Sequence, residues 1–151
     1  MAKLEHLSKE RISSGDTAVS GLFNGLLAGS AMAVYLLLVG LLLGQGTRYM
    51  GYFASGAAVS PQLGILSHLA VSAVYGMLFG LILRWTRLGQ FKSVPGWFTG
   101  LTYALLLWLA AILFILPGPG SLLKAIPVVH FLLAHIVYGL VLGLRQKAQA
   151  D

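Results

Sequence analysis

The stretch "AVSGLFNGLLAGSAMAVYLLLVGLLLG", residues 18–44, decides the fold. It carries no charged residue, and only Ser20, Asn24 and Ser30 break its apolar character. A helix rises about 1.5 Å per residue, so about 20 apolar residues cross the roughly 30 Å hydrocarbon core of a bilayer. The run is long enough to span. It is continuously apolar rather than alternating, so it reads as a helix and not as a barrel strand. The lysine-containing leader and the small-residue stretch "GSAMA" resemble a secretory signal. However, the apolar run continues past them through "VYLLLVGLLLG", and acidic residues interrupt the leader, so the segment reads as a retained span.

Three more runs follow, at about 63–83, 96–116 and 125–144. The fold class expected is therefore all-α, a polytopic membrane protein with four transmembrane helices. Residues 1–17 read as a cytoplasmic N-terminal segment and 18–151 as a single four-helix transmembrane domain. Composition agrees, because 58% of the 151 residues are hydrophobic and 9% are charged, against about 25% charged in soluble domains.

The net charge of +6 sits in short segments between the apolar runs. That pattern signals topology and gives no reason to expect a nucleic-acid partner. Lys3, Lys9, Arg11, Arg84, Arg87, Lys92, Arg145 and Lys147 fall on one side of the spans, and Arg48 and Lys124 on the other. The positive-inside rule places both termini in the cytoplasm. Trp85 and Trp97 flank the basic loop, where an interfacial aromatic belt would lie.

The chain reads as a hairpin written twice. "YGMLFG" (75–80) recurs as "YGLVLG" (138–143), and "GLFNG" (21–25) has a counterpart in "GWFTG" (96–100). A two-span unit has both ends on one side, so tandem copies are parallel repeats about an axis along the membrane normal. Small residues recur every fourth position: Gly21, Gly25 and Gly29; Ser72, Gly76 and Gly80; Gly96 and Gly100; Gly139 and Gly143. Lipid supplies no hydrophobic drive between helices, so such small-xxx-small faces are expected to form the packing seams. His135 shares a face with Gly139 and Gly143 and is expected in that seam as a structural group.

Two hairpins, each opening on Gly-xxx-Gly and closing on a histidine-preceded Tyr-Gly-xxx-Gly, resemble the small inner-membrane proteins of the YagU-like kind. The resemblance covers about residues 18–145. It implies a four-helix bacterial inner-membrane protein and carries over no activity and no functional residue.

Few groups are equipped for chemistry. There is no cysteine, and the only carboxylate side chains are Glu5, Glu10, Asp16 and Asp151. No Ser-His-Asp set and no metal cluster can be assembled within the spans, so no enzyme, catalytic residue or metal site is expected. Proton-coupled carriers usually rely on intramembrane carboxylates, which leaves a small-solute transporter or channel as a second alternative. His68 and His130 precede Tyr75 and Tyr138 by seven and eight residues, which puts them at similar depth. Paired imidazoles on two bundle helices are the candidate ligands for haem b or a chlorophyll-type pigment. The one-residue offset turns the two rings about 100° apart. In the first external loop, 44–62, Arg48, Tyr49, Tyr52 and Phe53 suit a short interfacial helix that either anchors to the membrane surface or docks a partner.

The leading expectation is a non-catalytic integral membrane protein without a cofactor, an accessory or structural subunit of a larger complex. Its partners would be the bilayer and other membrane subunits. The first alternative is a haem- or pigment-binding subunit of an electron-transfer or photosynthetic complex.

Overall fold

The computed structural model describes residues 13–54, 60–86 and 94–148. Lys3, Lys9, Arg11, Arg87 and Lys92 of the charge pattern lie outside the described residues, as do the side chain of Lys147 and nearly all of the expected N-terminal segment. Every regular element described is helical. The order is α1 (Ser14–Leu42), α2 (Arg48–Gly51), α3 (Pro61–Thr86), α4 (Gly96–Ala110) and α5 (Val128–Ala148). A π-helical turn, Ala111–Ile115, prolongs α4, and a 3-10 turn, Leu122–Ala125, precedes α5. Four helices are long and apolar enough to cross a membrane.

Local chemistry sets the ends of these helices. α1 starts four residues before its apolar run because Ser13 and Asp16 form a capping box. The Ser13 amide donates to Asp16 Oδ2 at 2.9 Å, and the Asp16 amide donates to Ser13 Oγ at 3.0 Å. Together they satisfy two amides left orphaned at a helix start. α1 stops at Gly44 and Gly46, whose φ angles of 70° and 57° suit glycine and few other residues. α3 begins on Pro61, where the missing N–H costs nothing. α5 begins at Val128, after Pro127, rather than at about 125. Pro127 has no amide to continue a helix backwards, but its carbonyl accepts from the amides of His130 (2.9 Å) and Phe131 (3.0 Å).

Burial along α1 follows the helical period, with Gly21, Asn24, Gly25, Ala28, Gly29 and Met32 all inward. The opposite face stays apolar but exposed, as at Phe23, Val34 and Leu38. α1 packs chiefly on α3 and also along α5, and α4 packs on α5. The approaches are backbone-close. A Cβ added to Gly21 would lie 2.7 Å from the Gly76 carbonyl oxygen, and one on Gly25 would lie 2.9 Å from Gly76 Cα. Across α4 and α5, a Cβ on Gly100 would lie 2.7 Å from Gly143 Cα, and one on Gly139 would lie 2.6 Å from Ala104 Cβ.

α3 and α4 share no extended seam among the described residues. They meet where the Tyr103 hydroxyl donates to the Tyr75 carbonyl at 2.9 Å and its ring lies 5.1 Å from Phe79. Toward the α2 end of the bundle a cleft remains between them.

Candidate functional site

That cleft is a cavity of about 480 Å³, within the range of about 300–1,000 Å³ usual for small-molecule sites. α3 supplies one wall with Ser67, His68, Val71, Ser72 and Tyr75. Leu107, Ala111 and Ile115 of α4 and its π-helical turn form the facing wall. Met32 of α1 and Phe131, His135 and Tyr138 of α5 close the back. Two loops cover the α2 end, at residues 52–54 and 118–123. At the other end, the Tyr138 hydroxyl donates to the Ser72 carbonyl at 2.9 Å and ties α5 to α3. A shallower apolar groove on α3, about 300 Å³, is lined by Ala70, Val71, Val74 and Tyr75, and shares Val71 and Tyr75 with the cavity.

Two histidines line this space, each more than nine-tenths buried. His68 Nε2 lies 3.0 Å from the Gly29 carbonyl, which can only accept, so Nε2 carries the proton. In the neutral ring, Nδ1 then holds the lone pair. His135 has the opposite arrangement. Its Nδ1 donates to the Phe131 carbonyl at 2.8 Å, one turn back on its own helix, and the lone pair falls on Nε2. Among the described residues, no hydrogen bond reaches either lone-pair nitrogen. Aromatic neighbours fix both rings: Phe53 is 4.7 Å from His68, and Phe131 lies edge-on 4.6 Å from His135.

The structure pairs the histidines differently from their order of depth. His130 does not line the cavity; it is half-buried, with Nδ1 3.1 Å from the Tyr35 hydroxyl of α1. His68 is brought together with His135 instead. His135 lines the cavity one turn from Gly139, where that glycine meets Ala104. Ser72 lines the same space from α3. The loop residues also turn inward. α2 forms at Arg48–Gly51 and Arg48 is exposed, but Tyr49 is buried, and Tyr52 and Phe53 are half-buried and line the cavity. Docking of α2 onto α3 is close enough that a Cβ at Gly64 would meet the backbone of Met50. These aromatics are spent on the chain's own fold, which leaves Arg48 as the exposed member of the group.

Residue-by-residue reading missed Tyr103, the π-helical turn and the role of Phe131. The run "PGPG" at 117–120 was the visible sign that the third span ends irregularly; π-helical turns are frequent at functional sites. Trp108 packs against the core with its Nε1 buried and without a partner among the described residues. Among the described residues, no lysine, arginine, aspartate or glutamate lines the cavity. Among the described residues, no three histidine or acidic side chains come together in a metal-binding arrangement.

A family model described as a family of unknown function (DUF6789) matches residues 15–150. The chain belongs to that family. The match takes in all four membrane-spanning helices and every residue of the cavity. No curated protein matches the chain, and no solved structure does.

Proposed function

We propose that this DUF6789 protein is a non-catalytic integral membrane protein that holds a small lipophilic molecule within the bilayer and serves a larger membrane complex as an accessory subunit. The cavity between α3 and α4 carries this reading. It combines apolar walls with a few convergent polar atoms, the usual composition of a small-molecule site. The polar atoms are imidazoles and hydroxyls without a carboxylate or a thiol, a set suited to binding rather than turnover.

The rest of the reading follows from the charge pattern and the two similar hairpins. Lys and Arg together number eight on one side of the spans and two on the other, which supports cytoplasmic termini. The likeness to YagU-like proteins supports a bacterial inner membrane. Tandem hairpins seamed by small residues account for the close glycine approaches on α1/α3 and α4/α5. The exposed apolar residues of α4 and its π-helical turn, Leu106, Leu109, Leu113 and Phe114, are where another subunit or lipid would lie.

Haem b loses support as the occupant through His68 and His130. His130 lies outside the cavity that His68 lines, so the two rings do not face one shared space there. Transport has no intramembrane carboxylate to work with.

Native mass spectrometry of protein extracted gently from its membrane tests the proposal. A retained, solvent-extractable small molecule is expected, together with partner subunits. An empty protein that fails to take up any lipophilic probe would overturn the binding role. A protein that migrates alone under the mildest extraction would overturn the accessory role.

A further inference from the structure

Building on the cavity as a binding site, we infer that its ligand is a neutral, membrane-soluble hydroquinone, with its two hydroxyls recognised by His68 Nδ1 and His135 Nε2. Among the described residues, the cavity walls contain no lysine, arginine, aspartate or glutamate, so neither an anionic nor a cationic headgroup would find a counter-charge on them. The ligand is therefore neutral. Two of its polar groups are donors, because the ring nitrogens that His68 and His135 leave free of the Gly29 and Phe131 carbonyls are fixed as acceptors. An acceptor that a ligand covers without donating to it is left unmet, so a ligand that donates to it is favoured over one that cannot.

Two acceptors, one from α3 and one from α5, call for two donors on one small headgroup. Phe131, Tyr75 and Tyr138 supply aromatic walls suited to a flat ring. The α3 groove that shares Val71 and Tyr75 with the cavity gives an apolar tail a path to the lipid face. A hydroquinone with a hydrocarbon tail meets all of these requirements. At these two nitrogens its oxidised form, which carries only carbonyl acceptors, meets lone pair with lone pair.

The experiment uses the full chain in lipid nanodiscs and a short-tailed hydroquinone, with its quinone kept as the oxidised control, under anaerobic conditions. Binding is followed by titration calorimetry. The reduced form is expected to bind at least about tenfold more tightly than the oxidised form, since each matched buried acceptor is worth roughly that factor. His135→Phe keeps the ring contact and removes the acceptor, so it should abolish most of that preference. His130→Phe, outside the cavity, should leave it intact.

Equal binding of both redox forms would defeat the hydroquinone assignment while leaving the cavity reading in place, and so would equally tight binding of a mono-alcohol with the same tail. Failure of both forms and of an unrelated lipophilic fluorophore would remove the cavity reading as well. Should His135→Phe fail to fold, the comparison of the two redox forms on the unaltered protein decides the matter alone.

Discussion

Tyr138 shows how much one side chain can set in a bundle where most contacts are apolar. It sits on α5, is 3% exposed, and reaches across to the carbonyl of Ser72 on α3. Interhelical hydrogen bonds in membranes average about 0.6 kcal/mol and reach about 1.7. Tyr138→Phe is therefore expected to lower stability by about 0.5–1.5 kcal/mol, read from unfolding in mixed detergent. An unchanged unfolding midpoint would mean that the bond is not formed in the membrane. The histidines teach the complementary point. His68, His130 and His135 each meet a different partner, namely the Gly29 carbonyl, the Tyr35 hydroxyl and the Phe131 carbonyl. The first two pairings do not follow from spacing along the chain, because their partners lie on another helix.

At the scale of the element, glycine position matters more than hydrophobicity. Gly25 and Gly100 lie where the backbone of the facing helix leaves no room for a Cβ. Gly15 has only Ser13 Oγ nearby, at an ordinary contact distance of 3.4 Å. Alanine is the better helix former by about 1 kcal/mol, so any loss at the first two sites reports packing alone. Gly25→Ala and Gly100→Ala are expected to destabilise by about 1–3 kcal/mol through overpacking. Gly15→Ala should be neutral or slightly stabilising. The same thermal or denaturant unfolding assay compares all three, and equal effects at the three sites would refute the close-packed seam. α5 illustrates what a proline adds. Its start is set by Pro127, not by where the apolar run begins, so the preceding Leu122–Ala125 forms a separate 3-10 turn over the cavity mouth.

At the scale of the whole molecule, the helices fall into two tight pairs, α1/α3 and α4/α5, joined along α1 and α5. The joint leaves α3 and α4 apart and creates the cavity. Orientation is a property of this same scale. With Arg84 and Arg145 exposed at one end of the bundle and Arg48 and Lys124 at the other, the charge bias predicts cytoplasmic termini. A fluorescent protein that matures only in the cytoplasm, fused at the C-terminus, should glow. A reporter active only outside should be silent there, and the reverse pattern would invert the assignment.

The sequence by itself determined the number of spans, their positions to within a few residues and the all-helical class. A charge-free apolar run of about 20 residues has few stable alternatives in lipid, where every backbone group must be paired within the element. The details of the ends were legible only in part. The "SSGD" capping box and Pro127 are local signals, but they shift boundaries by a few residues and do not add or remove a helix. Only the tertiary structure decided which faces meet. Membrane helices are apolar on their buried and lipid-facing sides alike, as with Leu36 inward and Leu38 outward on α1, so periodicity carries little information about neighbours. That is why the depth of His68 matches His130 along the chain while the cavity brings His68 together with His135. Depth is written in one helix, whereas the shared space between α3 and α4 exists only once four helices have packed.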